Sequence, residues 1–406
     1  MRFTTRLLHE AFAPDAATGA TTQPLYQTSA FYQPMAEEMA RVFAGRKPGF
    51  VYTRVNNPTV ARFEQRVNAL EGGVGAVACA SGMAAVSHAV LNILSQGDEI
   101  LASGGLYGGT SSLFRDFASY GIGVRYAAGG SVADFRAALT ERTRLIYIET
   151  IGNPKLDVVD IAALSELAHA HGVPLFVDNT VTTPYLCQPL ALGANVVIHS
   201  TSKALNGNGN SIGGIVVSGG KFRWDAARFP KLREYPFGPM SYLVRLRLRM
   251  VTDYGGCMAP FNAYLTGIGL DTLALRLDRI TANALSLATF FAARGERVNY
   301  PGLPEHPSHA LAARQFGGRY GAMLTLRLGT RKRAFRFIDA LHYALNVSNI
   351  GDARTLVIHP ALTIFLHASE EEKANAGVTD DLVRINVGLE DIEDLQEDFA
   401  QALDAR

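Results

Sequence analysis

Residues 173–220, VPLFVDNTVTTPYLCQPLALGANVVIHSTSKALNGNGNSIGGIVVSGG, decide how this chain reads. The stretch holds three short apolar runs: VPLFVDN (173–179), NVVIHS (195–200) and GGIVVSGG (213–220). Each has strand length and is apolar throughout, the pattern of a strand covered on both faces. Upstream, GAVACAS (75–81), DEILAS (98–103) and TRLIYIET (143–150) have the same character. Amphipathic segments follow them: GMAAVSHAVLNILSQG, YGGTSSLFRDFASYG and DIAALSELAHAHG. Such alternation predicts an α/β fold, a parallel sheet with helices on both faces. In these sheets ligands sit outside the carboxyl ends of the strands. Several runs end in polar residues, at Ser81, Asp178 and Ser200, with Asn153 just beyond Glu149. Chemistry is therefore expected along one edge of the sheet.

A single ammonium group, Lys203, stands where NVVIHS gives way to a loop of glycines and asparagines. A lysine at a strand end is ordinarily a solvated surface residue. Here Ser200, Thr201 and Ser202 precede it with hydroxyls suited to an anion, and Asp178 ends another buried strand. Tyr107 lies in the glycine-rich GGLYGGT, where an aromatic face can be laid on a ligand. Ser81 suits the N-cap of a helix whose first free N–H groups belong to Gly82, Met83 and Ala84, a place for a phosphate. The other phosphate loops are absent: there is no GxxxxGK[ST], and no GxGxxG follows the first strand.

Outward from this core the pattern changes. Residues 221–260 carry prolines, aromatics and scattered arginines and read as a connection with some helix; RLRLR (245–249) reads as a solvated face or a subunit contact. A helical pattern runs from 261 to about 295. The remainder mixes the strands GAMLTLRLG and DLVRINVGL with the helices RKRAFRFIDALHYAL and EDIEDLQEDFAQAL, as in a smaller α/β domain. The first 60 residues have little periodicity and read as an extended arm. The expected division is an arm over 1–60, a ligand-binding α/β domain over 61–260 and a C-terminal domain over 261–406.

Composition narrows the class. With 406 residues, 48% hydrophobic and 18% charged, the chain suits a globular protein of two domains. A formal net charge of +1 offers no overall field for nucleic acid or an anionic membrane, so neither is expected as a partner. No apolar stretch approaches the roughly 18–20 residues needed to span a bilayer. The opening residues lack a secretory apolar region. Cys79, Cys187 and Cys257 lie far apart with no CxxC, which argues against a disulfide framework or a metal site and fits a reducing cytoplasm.

A lysine amine, a strand-end carboxylate, an aromatic stacker and a phosphate cradle are the parts of a pyridoxal phosphate site. In these residues, over nearly its whole length, the chain resembles the Cys/Met-metabolism family of pyridoxal phosphate enzymes. YTRVNNPTV resembles the family's phosphate-clamping arm, in which Tyr52 and Arg54 reach into a neighbouring subunit's site. ASGMAA is similar to its phosphate helix, with Ser81, Gly82 and Met83; LYGGT to its stacking tyrosine, Tyr107. ETIGNP carries Asn153, whose counterpart faces the cofactor's phenolic oxygen, and VDNT carries Asp178. HSTSK carries Ser200, Ser202 and the Schiff-base lysine, Lys203. DLVRINVGLED carries Arg384, the clamp for a substrate α-carboxylate, which Asn349 and Tyr52 are expected to assist.

The resemblance implies a mostly parallel, seven-stranded sheet between helices, pyridoxal 5'-phosphate as cofactor, and a homotetramer of two dimers that share active sites. It implies an amino-acid substrate and a sulfur nucleophile, with Lys203, Tyr107 and Asp178 catalytic. CMAPFNAYLTGIGLDTLALRLDR, KFRWDAARFP and Asn349 resemble the O-acylhomoserine sulfhydrylases within the family. Gly109 stands where methionine γ-lyases have a cysteine, while Leu362 and Asn208 depart from the family pattern. The expected reaction is γ-replacement on an O-acylhomoserine by sulfur. The alternatives are γ- or β-elimination, replacement by an unusual nucleophile, and a doubly wound oxidoreductase or binding domain without pyridoxal phosphate.

Overall fold

The computed structural model describes residues 1–405. Seven strands form the larger sheet: β1 Gly75–Cys79, β2 Glu99–Ala102, β3 Gly123–Tyr126, β4 Thr143–Glu149, β5 Leu175–Asp178, β6 Val196–Ser200 and β7 Gly214–Ser218. Their order is β1-β7-β6-β5-β4-β2-β3, and all neighbours run parallel except β7, which is antiparallel to both β1 and β6. Apolar clusters cover both faces, one around Val177, Val197 and Ile215, the other around Phe176, Ile198 and Val216. That double burial explains why the central strands are continuous apolar runs. The strand β3 lies outside the expected set. Its GVRY sequence is half-exposed at the sheet edge, so it carries no apolar run.

Local signals position the helices. Ser81 caps Gly82–Leu91, its Oγ accepting the Ala84 N–H at 3.0 Å. Asn57 caps Pro58–Glu71, accepting the Thr59 N–H at 2.9 Å, and the helix stops at Gly72 with a left-handed φ of 75°.

The second sheet has five strands: β8 Arg297–Asn299, β9 Met323–Arg327, β10 Leu345–Asn346, β11 Leu356–Ile358 and β12 Leu382–Asn386, in the order β10-β11-β12-β9-β8. Only β10 and β11 pair in parallel. The strands β8, β10 and β11 have three residues or fewer, too short to show a period.

Two expectations change here. The helical pattern after 261 is two helices, Pro260–Asp271 and Leu273–Ala293. They part at Thr272, and the Arg276 guanidinium donates to the Gly269 carbonyl at 2.7 Å beside that break. RLRLR is a solvated face only at Arg249, which pairs with Asp253 at 3.0 Å. Arg245 turns inward to the Asn92 carbonyl at 2.8 Å. Arg247 meets Glu64 at 2.6 Å, and Glu64 in turn accepts the Ala78 N–H at the free edge of β1. The arginines serve to satisfy buried backbone. Leu246–Val251 is wound as a π-helix.

Candidate active site

The carboxyl ends of β1, β4, β5 and β6 converge on one cavity of about 390 Å³. The β-strand ends supply Glu149, Asp178 and Ser200, and the turn after β1 supplies Ser81, Gly82 and Met83. The second sheet closes the cavity with Arg384 of β12 and the segment Ser348–Ile350. Tyr107, Asn153, Ser202 and Lys203 complete the lining.

Lys203 sits in a turn, its carbonyl accepting the N–H groups of Asn206 and Gly207, each at 2.9 Å. Its Nζ donates to Asn349 Oδ1 at 2.6 Å. Gly351 permits that reach. It holds a left-handed φ of 70°, and a Cβ there would lie 2.4 Å from the Ala204 nitrogen. Burial, with the nearby Arg384 guanidinium, brings the Lys203 pKa down to about 8.

Arg384 is almost wholly buried at 3% exposure. Its guanidinium donates to Asn153 Oδ1 at 3.0 Å and to the Asn349 carbonyl at 3.1 Å. Among the described residues no carboxylate pairs with it, and burial lowers its pKa to about 10. A cation so placed attracts an anion from solution. Asp178 accepts the Thr180 N–H at 3.0 Å and faces the Tyr147 hydroxyl at 3.4 Å. Desolvation raises its carboxyl pKa, while the Thr180 donors and the buried His199 on β6 oppose that shift. A positively charged ligand group beside Asp178 would reverse that shift.

The phosphate end has a close fit. The N–H groups of Gly82 and Met83 open the ten-residue helix Gly82–Leu91, and a Cβ on Gly82 would lie 2.6 Å from Ser200 Cβ. Ser202 Oγ accepts the Gly213 N–H at 3.0 Å, which holds its hydroxyl at the cavity wall. Tyr107 begins the helix Gly108–Asp116, anchored through its N–H to Glu149 Oε1 at 2.6 Å. A Cβ on Gly109 would lie 2.5 Å from Tyr107 Cε1, so a side chain there would displace the ring.

The structure therefore gathers Ser81, Gly82, Met83, Tyr107, Asn153, Asp178, Ser200, Ser202, Lys203, Asn349 and Arg384 around one cavity. Asn349 accepts from the lysine amine through Oδ1, which leaves its amide Nδ2 as the group able to donate to a carboxylate. Tyr52 and Arg54 do not line it. They lie on the arm, the guanidinium 5.5 Å from the Tyr52 ring centroid and bonded to the Thr252 carbonyl. Leu362 is partly exposed on a turn outside the cavity, and Asn208 is tied to the backbone of Asn206. Sequence reasoning passed over Glu149, Thr180 and Ile364, which also line the site. Glu149 had the same signal as Asp178, a carboxylate ending an apolar run.

The family described as Cys/Met metabolism PLP-dependent enzyme matches residues 4–404. An O-acetyl-L-homoserine sulfhydrylase of Leptospira meyeri is 41% identical over 98% of this chain and 95% of its own. An O-succinylhomoserine sulfhydrylase of Pseudomonas aeruginosa is 42% identical over 95% of this chain and 92% of its own. A crystal structure from Campylobacter jejuni, bearing a pyridoxyl-lysine phosphate, covers all of both chains with a TM-score of 0.93 at 30% identity.

Proposed function

The chain belongs to the Cys/Met metabolism PLP-dependent enzyme family, and from this we propose that it performs γ-replacement on an O-acylhomoserine, with O-acetyl-L-homoserine as the substrate. The sulfur nucleophile yields homocysteine or methionine. The observation that carries the reading is one cavity holding a buried amine of lowered pKa and a buried guanidinium without a carboxylate.

The residues present fit pyridoxal phosphate. Gly82 and Met83 N–H groups, Ser200 and Ser202 suit its phosphate, Asp178 its ring nitrogen, Asn153 its phenolic oxygen, Tyr107 its face and Lys203 its carbonyl. When bound, the cofactor supplies a carbonyl that condenses with amines and a ring that takes up electron density from the substrate's α-carbon. Arg384 binds the substrate α-carboxylate, and this salt link orients the Cα–H bond. Lys203 then removes the α-proton and moves a proton at the β-carbon. Its lowered pKa keeps the free amine in part neutral near neutral pH. At the γ-carbon the C–O bond breaks and the carboxylate leaves with its electron pair. The sulfur pair forms the new C–S bond, and the thiol proton is released. Asp178 would hold the ring nitrogen of the bound cofactor and supply the negative charge that favours its protonated form.

O-acetyl-L-homoserine with sulfide is the test. Homocysteine as the main product supports the reading; 2-oxobutyrate as the main product in the presence of sulfide would overturn it in favour of elimination.

A pH dependence follows from Lys203. The neutral amine is the nucleophile. With a pKa of about 8 it is about one-tenth neutral at pH 7, against roughly 1 in 3,000 for an ordinary lysine. Covalent capture of pyridoxal phosphate by the apoprotein is expected to quicken about tenfold per pH unit below 8 and level off above it. Rates measured by stopping with borohydride check this, and a rise continuing to pH 10 counts against it.

We also read the arm 1–60 as serving a neighbour's site, 61–260 as holding the cofactor and 261–406 as supplying the carboxylate clamp, in a tetramer of two dimers. Exposed Tyr32, Met35, Phe43 and Tyr52 on the arm support a covered face. The three free cysteines fit a cytoplasmic setting. Arg54→Ala and Lys203→Ala chains should each be inactive alone and regain part of the activity when mixed, because a hybrid dimer rebuilds one complete site. No recovery in mixtures shown to exchange subunits sinks the shared site.

A further inference from the structure

Two carboxylates share one edge of the large sheet. Glu149 ends β4 and Asp178 ends β5, and the two are register partners. Partners on adjacent strands project to the same face, with backbones about 4.8 Å apart. Both line the cavity. On the Asp178 side the buried His199 of β6 favours the charged form, and no such group acts on Glu149 among the described residues. The cavity's cations are engaged elsewhere: Lys203 with Asn349, Arg384 with Asn153 and Asn349. The other ionisable groups near Glu149 are Tyr147 on β4, fully buried, and Asp157 on the segment after it. Among the described residues none offers Glu149 a positive charge.

Two neighbouring carboxyl groups in a desolvated site do not both ionise. The donors decide which one keeps the charge. Asp178 has the Thr180 N–H and the Tyr147 hydroxyl, and the ring nitrogen in the reading above. Glu149 has one donor, the Tyr107 N–H at 2.6 Å on Oε1. Burial and the charge on Asp178 push the Glu149 carboxyl well above its ordinary pKa.

We propose that Glu149 works as a neutral carboxylic acid, a positioning residue that fixes Tyr107 through its backbone N–H and leaves Asp178 as the single negative charge at this edge. The proposal rests on the roles given above to Asp178 and Tyr107. A second anion here would compete with Asp178 for the ring nitrogen's proton. A neutral Glu149 avoids that competition and still holds the start of the Tyr107 helix.

The charge-neutral variant separates this from an ionised Glu149. In the holoenzyme, Glu149→Gln keeps an oxygen for the Tyr107 N–H. Its kcat should fall by less than about fivefold with an unshifted pH profile, the scale of one altered neutral hydrogen bond. Glu149→Ala, which loses the anchor, should lower kcat about tenfold with little change in KM. Were Glu149 ionised and its charge used, Glu149→Gln would cost about 10²-fold or more.

Infrared spectroscopy reads the proton itself without turnover. At pH 8 the wild-type holoenzyme should show the C=O stretch of a protonated carboxyl group. That band should shift when glutamate is carboxyl-¹³C-labelled and vanish in Glu149→Gln. Absence of the band, its loss in Asp178→Asn alone, or a Glu149→Gln loss equal to that of Asp178→Asn overturns the proposal. The labelled wild-type spectrum needs no variant for the decisive negative: a spectrum with no protonated-glutamate band overturns the proposal. Failure to turn over O-acylhomoserines would defeat the functional reading and leave the infrared result standing by itself.

Discussion

Replacing Lys203 with alanine is expected to abolish turnover, by about 10⁴-fold or more, in a protein that still folds. Its side chain makes one hydrogen bond, to Asn349, and its amine is desolvated to the point of a pKa near 8. Removing it relieves a buried cation rather than opening a packed core, so the thermal midpoint should not drop. Pyridoxal phosphate should still bind through Gly82, Met83, Ser200 and Ser202, but reversibly. General acid–base catalysis is worth about 10²–10⁴-fold, and one amine here serves two carbons, so the loss belongs at or beyond the upper end. Added small amines should recover a fraction of the rate. In the wild type, borohydride reduction and peptide mapping should find the pyridoxyl group on Lys203. Finding it on Lys221 or another lysine overturns the assignment.

The second large effect is expected from Asp178→Asn, a loss of about 10²–10³-fold in kcat with KM nearly unchanged. The asparagine Oδ1 can still accept the Thr180 N–H that Asp178 accepts at 3.0 Å, so the shape of the site persists. What disappears is the charge opposite the ring nitrogen, on which electron uptake depends. Arg384, proposed above as the substrate clamp, is bonded to Asn153 and Asn349 and not to Asp178, which is why KM should hold. Steady-state kinetics with matched cofactor occupancy test this. Turnover within a few-fold of wild type removes Asp178 from its role, and with it the reason for a neutral Glu149.

Much of the site was legible because strand-end chemistry survives in one dimension. Asp178, Ser200 and Lys203 follow apolar runs, and Ser81 precedes a helical pattern, so their side chains had to emerge at the carboxyl edge. Glu149 carried the same mark and was passed over, because its partner, Asp178, is 29 residues away in sequence and adjacent only across β4 and β5. Asn349 showed the reverse. Its place in the site was readable, yet its bond to the Lys203 amine depends on Gly351 bringing two distant segments into contact. Tyr52 and Arg54 are legible as a motif, but within one chain they lie outside the cavity.

The amino-acid order by itself determined six of the seven strands of the large sheet and the edge on which the polar strand ends meet; the half-exposed β3 and the antiparallel course of β7 were not in it. Continuous apolar runs need two covered faces, and a polar residue at the end of each parallel run falls at the same rim, as Glu149, Asp178 and Ser200 do. Only the tertiary structure decided the partner of each charge: Arg247 with Glu64, Arg384 with no carboxylate, Glu149 beside Asp178. Partnership follows the spatial order β1-β7-β6-β5-β4-β2-β3, and that order departs from chain order. A charge's free energy is set by what lies within a few ångströms of it, and in this fold those neighbours come from remote parts of the chain.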